Sequence, residues 1–246
     1  MVNKVVVRDA ILAYYENVLK KKEQKFTSND EADALVKSDA TAFVFAVILD
    51  QGAESGRMWE IPYHMTKILG HLDVHRISRM EDGELFHVFA QLPCRPRYWK
   101  TAAKRVRNAA NQIVARYQGR AGNIWNDNPK AGDLQARLDN FDGIGQKKAS
   151  MATRILGMDL HKPIRDWNEM DVSVDEMIRR VFPRTGLSVT NKPTEIIEAA
   201  RVLCPVFPGA LDYPSWEIGR NWCKPQSPKC SSCPIGQVCP KIGVSF

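Results

Sequence analysis

The chain has 246 residues, 44% hydrophobic and 26% charged, a composition ordinary for a globular protein and long enough for one large core or two modest ones. No apolar run approaches the length that crosses a bilayer. The start, with Asp9, Glu16 and a lysine-rich stretch, reads as neither a signal nor a transit peptide, so the expected location is the cytoplasm, nucleoid-associated in a prokaryote. Lys and Arg exceed Asp and Glu by 35 to 28, a net charge of +7, which favours a polyanionic partner through counterion release.

Helical periodicity dominates, and no strand alternation or internal repeat is visible. Residues 7–22 place Ile11, Leu12, Tyr15 and Leu19 on one stripe, which predicts a helix. The dense apolar run over 41–51 predicts a buried helix. Further helices are predicted over 58–69, 80–92 and 98–117, with Pro62 in a turn between two helices or kinking one. The stretch 98–120 alternates small apolar residues with Lys and Arg and reads as an amphipathic helix with a solvated basic face. Asn126 to Pro129 is turn chemistry. After it, Asp133 is expected to cap a helix to about Asn140, followed by helices over 147–157 and 175–182. The predicted class is all-α.

Between two of these helices lies Phe141-Asp142-Gly143-Ile144-Gly145-Gln146-Lys147-Lys148-Ala149. Glycines at 143 and 145 permit positive φ and leave the backbone uncovered. Phosphate oxygens are then able to approach amide N–H groups at the start of the next helix, where the helix dipole also favours an anion. Ile144 anchors the turn in the core. Such a turn grips a nucleic-acid backbone without reading sequence. Lys147 and Lys148 sit where that dipole disfavours a cation, which helps an amine lose its proton. Helix capping accounts for an aspartate such as Asp175 just before a first turn.

Six cysteines are present, four of them between Cys223 and Cys239. Cys223, Cys230, Cys233 and Cys239, separated by six, two and five residues, crowd too closely for a disulfide framework and read as a metal site. Four thiolates suit either a 4Fe–4S cluster or tetrahedral zinc. Zinc ribbons usually present two Cys-x2-Cys pairs, and only one pair occurs here. Cys94 and Cys204 read as plain thiols.

The hairpin stretch resembles the Leu-Pro-Gly-Val-Gly-x-Lys-Thr-Ala pattern of the helix–hairpin–helix motif in the endonuclease III superfamily of DNA glycosylases. Asp142 stands at the family's proline and Lys148 at its threonine, while Lys147 falls on the lysine that attacks the sugar in bifunctional members. Residues 171–182 resemble the superfamily's Val-Asp-x-x-(Ile/Val)-x-Arg-Val segment. This makes Asp175 the expected catalytic carboxylate and Asp171 the runner-up. A histidine common two residues after that aspartate is Met177 here. Asp175 follows Lys147 by 28 residues, a longer gap than in endonuclease III, with the insertion falling around 161–170. The cysteine spacing is that of the superfamily's iron–sulfur loop. Gln51 occupies a segment where the family places a polar residue in the space vacated by a flipped base.

The resemblance implies two helical domains flanking a cleft. One is a six-helix barrel over 34–164 that carries the hairpin. The other is a discontinuous cluster domain formed by 1–33 plus 165–246. It implies a bifunctional base-excision glycosylase and AP lyase that acts as a monomer on duplex DNA containing a damaged or mismatched base, oxidised pyrimidines by default. Lys147 and Asp175 are then catalytic. Gly143, Ile144, Gly145, Gln51, Lys224 and Lys229 contact DNA, and the four clustered cysteines hold a structural 4Fe–4S cluster. The alternatives are a monofunctional glycosylase for uracil, mismatched thymine or oxidised purine, and a non-catalytic DNA-binding iron–sulfur module.

Overall fold

The computed structural model describes residues 3–22, 24–52 and 54–244. Helix α1 (Lys4–Tyr14) starts on Asn3, whose side chain accepts from the Val5 and Val6 N–H groups, and runs into a π-helical turn at Tyr15–Leu19. It therefore begins three residues earlier than the apolar stripe suggests, because the cap and not the first apolar residue sets the start. Then follow α2 (Asp30–Ser38), α3 (Ala40–Leu49), α4 (Ser55–Trp59), α5 (Ile61–Leu69), α6 (Val74–Arg79), α7 (Asp82–Ala90) and α8 (Trp99–Tyr117). Pro62 sits in the first turn of α5, where its missing N–H costs nothing.

The second half contains α9 (Ala131–Asp139), α10 (Gln146–Arg154) with a π-helical extension at Ile155–Asp159, α11 (Glu176–Arg184), α12 (Pro193–Leu203) and α13 (Asp212–Asn221). Asp133 lies inside the first turn of α9 and is not its cap; the helix starts at Ala131, whose N–H donates to the Arg165 carbonyl at 2.8 Å. Helices α2, α6, α12 and α13 have no counterpart among the elements predicted from periodicity. The described residues contain no strand, only an isolated bridge between Lys130 and Arg165. No helix among them is long and apolar enough to cross a membrane.

The chain divides into two compact units. One comprises Met1–Glu23, Lys130–Gln135 and Ile164–Phe246; the other comprises Gln24–Pro129 and Ala136–Pro163. The core of the first unit gathers Ile11 and Leu19, then Ile178, Val181 and Phe182 of α11, together with Ile196, Leu211, Ile218 and Ile235. In the second unit α3 is buried on every side from Ala42 to Leu49, which is why its apolar residues run unbroken instead of forming a stripe. Burying its six large apolar side chains contributes roughly 10 kcal/mol of transfer free energy. Phe43 meets Trp59 and Trp125 edge-on, each at 5.9 Å between ring centroids.

The segment 161–170 turns sharply, with left-handed backbone at His161 and Asp166. From Ile164 onward it belongs to the first unit, where Lys130 pairs with Asp166 and Glu169 and Trp167 packs edge-on against Phe207.

Candidate functional site

The hairpin lies wholly in the second unit. Phe141 and Ile144 are buried, and the Ile144 N–H closes the turn on the Phe141 carbonyl at 2.9 Å. The two glycines serve different ends. Gly143 has φ of +92°, and a Cβ there would come within 2.8 Å of Arg105 Cδ. Gly145 is extended, caps α10 without a side-chain bond, and has open space where a Cβ would sit. Gln146, Lys147 and Lys148 are the first three residues of α10, at the end of the helix whose dipole favours an anion. The uncovered Gly145 leaves them approachable by an anion.

The adjacent lysines have separate environments. Lys147 is exposed. Lys148 folds back, its Nζ donating to the Ile48 carbonyl at 2.8 Å and the Gly143 carbonyl at 2.9 Å. Burial lowers its amine to about 8, with Arg105 and Lys147 acting in the same direction and Asp50 opposing. An unfolded chain holds this proton up to about 10.5, so between pH 8 and 10.5 it binds more protons than the folded one, and this group's contribution to stability rises with pH across that window. The difference in unfolding free energy between the wild type and Lys148→Met is therefore expected to shift toward the wild type from pH 8 to 10.5. The shift is on the order of 3 kcal/mol. Denaturant titrations at several pH values check this, and a difference independent of pH would show that Lys148 is not perturbed.

Gln51 also lies in the second unit, just beyond α3. Asp50 forms an inverse γ-turn, with φ −68° and ψ 77°. This turns the Gln51 N–H onto the Leu49 carbonyl at 2.7 Å, and Gly52 follows in the left-handed region at φ +76°. The Gln51 Oε1 accepts from Arg105 at 3.2 Å, and the same guanidinium donates to Asp142 Oδ1 at 3.1 Å.

One neighbour of Gln51 escaped the sequence reading. A Cβ on Gly52 would lie 3.6 Å from the Arg97 backbone, so the segment from Arg95 to Lys100 runs beside it. Tyr98 is exposed with Arg97 over its ring, while Arg95 and Lys100 both lie over Trp99. An exposed Tyr98 ring and a half-buried Trp99 ring interleaved with cations suit nucleic-acid binding. The signal was the Arg-Pro-Arg-Tyr-Trp-Lys run, absorbed into the start of a basic helix.

In the first unit, Asp175 is the N-cap of α11. Its Oδ1 accepts from the Met177 and Ile178 N–H groups at 2.8 and 3.0 Å, and neither bond uses Oδ2. Asp171 is engaged in a two-pronged pair with Arg201 at 2.8 and 2.7 Å. From α11, Arg180 donates to the carbonyls of Gly219 and Cys223, and Arg184 to those of Lys224 and Pro225. The helix that presents Asp175 thus also carries the cysteine loop. Close packing of α11 on α13 depends on Gly219, where a Cβ would fall 2.7 Å from Met177 Cβ.

Cys223, Cys230, Cys233 and Cys239 line one pocket with Ile218, Trp222 and Ile235, and none is in a disulfide. Gly236 closes the loop tightly, since a Cβ there would meet the Cys230 carbonyl oxygen at 2.3 Å. Burial raises the Cys233 thiol to about 11 and the Cys239 thiol in the same direction, with the other cysteines adding to both. Four thiolates this close need a compensating cation. Among the described residues, no three His, Cys, Asp or Glu side chains are arranged to hold a single metal ion. The donor set, four unpaired thiols around one largely apolar pocket, fits a thiolate-ligated cluster. Lys224 is half-buried with its amine on the Arg220 carbonyl, and Lys229 is exposed.

No protein-family model matches the chain. It is 28% identical to endonuclease III of Thermotoga maritima over 142 residues, 57% of each chain. It is 44% identical to the adenine DNA glycosylase of Schizosaccharomyces pombe over 118 residues, 45% of this chain and 23% of that protein. These matches span only part of each relative. In fold it is similar over 98% of its length to endonuclease III in a trapped covalent intermediate with DNA, covering 97% of that chain with a TM-score of 0.68 and 16% identity. A thermostable thymine-DNA glycosylase gives a TM-score of 0.63 at 14% identity, with 97% of this chain and 95% of that one covered. In sequence and in fold, the chain resembles the endonuclease III-like helix–hairpin–helix superfamily of DNA glycosylases.

Proposed function

We propose that the protein is a base-excision DNA glycosylase with an associated AP lyase activity, acting on duplex DNA that carries a damaged or mismatched base, oxidised pyrimidines foremost. The hairpin carries this reading: an uncovered Gly145 at the head of α10, a helix start whose dipole favours a phosphate, and the exposed Lys147 in the first turn. Gly143, Ile144 and Gly145 shape the phosphate grip, with Lys224 and Lys229 as further basic contacts. Gln51 fills the space left in the stack when the target nucleotide is extruded.

In this scheme the neutral Lys147 amine attacks C1′ of the extruded nucleotide, and the base departs with the electrons of the glycosidic bond and takes up a proton. The carboxylate of Asp175 stabilises positive charge developing on the sugar. The sugar ring then opens to a Schiff base at C1′. Loss of a C2′ proton expels the 3′ phosphate, and hydrolysis of the imine restores the amine. Cys223, Cys230, Cys233 and Cys239 would hold a 4Fe–4S cluster, which would supply a cross-link for the loop.

A panel of duplexes, each with one lesion or mismatch, and one with a preformed abasic site, tests the proposal. Base release together with nicking of the abasic duplex is the expected result. Release without nicking means that water is the nucleophile, and neither activity alongside tight duplex binding leaves a DNA-binding module.

A further inference from the structure

Lys148 stands where the family motif has a threonine, and its amine is turned into the hairpin. From the first turn of α10 the side chain folds back, so that Nζ donates to the Gly143 carbonyl at 2.9 Å and the Ile48 carbonyl at 2.8 Å. Both acceptors are neutral, so these bonds orient the ammonium without cancelling its charge. Asp50, just past α3, attracts it, while Arg105 of α8 and Lys147 of its own helix repel it. Asp142 of the hairpin is engaged by Arg105. Gly143 precedes Gly145 by two residues. At about 3.8 Å per residue, the amine lies within about 10 Å of the uncovered Gly145 at the head of α10. Burial, with the two neighbouring cations, lowers the amine to about 8, and an anion arriving at the same place offsets that cost.

We infer that Lys148 is an internal counter-cation of the phosphate grip, a charge built into the hairpin that strengthens its hold on a duplex phosphate and is withdrawn when the amine gives up its proton. This rests on the reading in which the hairpin takes a phosphate. A unit charge at this distance, in a half-buried setting, alters anion affinity by about tenfold. The charge is separable from the mechanical tie. A neutral lysine amine still has two N–H groups, one for each carbonyl, so raising the pH removes the charge and leaves the bonds between the hairpin and the end of α3. The free protein loses this proton at about pH 8. A bound phosphate favours the ammonium and raises that value, so binding takes up a proton and affinity falls as the pH rises through the window.

The test is binding of the full chain, by fluorescence anisotropy at constant ionic strength, to an intact duplex and to one holding a tetrahydrofuran abasic analogue, which offers no aldehyde to an amine. From about pH 7 to about pH 9.5 the wild-type Kd is expected to rise close to tenfold for both. Lys148→Met should bind about tenfold more weakly at the lower pH, show no such rise, and meet the wild type at the upper one. Lys148→Gln, which keeps a neutral donor for the carbonyls, should follow Lys148→Met; binding like the wild type would reduce Lys148 to a strut. Calorimetry of the wild type near pH 8.5, in buffers of different ionisation enthalpy, should report uptake of about half a proton per complex, a readout that needs no variant. A wild-type affinity flat across the window, no proton uptake, or a Lys148→Met profile parallel to the wild type overturns Lys148 as a counter-cation while duplex binding stands. No binding of either duplex at about 50 mM salt overturns the DNA-repair reading as well.

Discussion

Lys147→Gln is expected to abolish borohydride-dependent cross-linking of the protein to an abasic or lesion-bearing duplex, by about 10³-fold or more, the scale on which loss of a covalent nucleophile is felt. Duplex affinity should fall far less, because the phosphate grip proposed here uses backbone N–H groups of α10 that the substitution leaves in place. Lys148→Gln serves as the matched comparison. That amine donates to two carbonyls within its own unit, so its loss should loosen the hairpin yet leave cross-linking detectable. A Lys147→Gln protein that cross-links at the wild-type rate would exclude this amine as the nucleophile. Asp175→Asn isolates the charge from the cap: asparagine caps a helix about as well as aspartate, so α11 should survive. The base-release rate should fall by roughly 10²- to 10³-fold, as when a group that stabilises transition-state charge is removed. An unchanged release rate would reduce Asp175 to a cap.

Replacing Cys230 or Cys233 by serine is expected to cost the protein its iron and several kcal/mol of stability. The loop has little core of its own beyond Ile235, Ile218 and Trp222, so the cluster proposed for it would act as its cross-link. Losing a native cross-link in a small domain costs about 2–5 kcal/mol, which for a protein of this size lowers the melting temperature by roughly 10 °C. The damage should reach Asp175, because Arg180 and Arg184 of α11 bind backbone carbonyls of the same loop. Amide exchange should accelerate over the loop and the start of α11 while α3 and α8, in the other unit, stay protected. Cys94→Ser and Cys204→Ser should retain the iron. Full iron content and an unchanged melting temperature in the Cys230 variant would show that this thiol is not a ligand.

What was legible in the chain alone was local chemistry. The four cysteines lie within one short loop and the hairpin within nine residues, so spacing encodes both without reference to the rest of the molecule. The all-helical class and the buried α3 followed from periodicity and from an unbroken apolar run. The short helices α4 and α6 and the ends of α1 and α9 depend on caps and tertiary contacts that periodicity does not register.

Only the tertiary structure decided which of several similar side chains is committed elsewhere. Lys147 and Lys148 are neighbours of one residue type, and what separates them is an α3 carbonyl 100 positions away. Asp171 and Asp175 both suit the family's carboxylate; Arg201, 30 positions on, occupies the first, while the second caps its own helix with one oxygen. Arg105 reaches Asp142 and Gln51 across 37 and 54 positions. A hydrogen bond is selected by proximity and direction within a few ångströms. Residues far apart along the chain acquire that proximity only when the helices bearing them pack, so no pattern of spacing announces it beforehand.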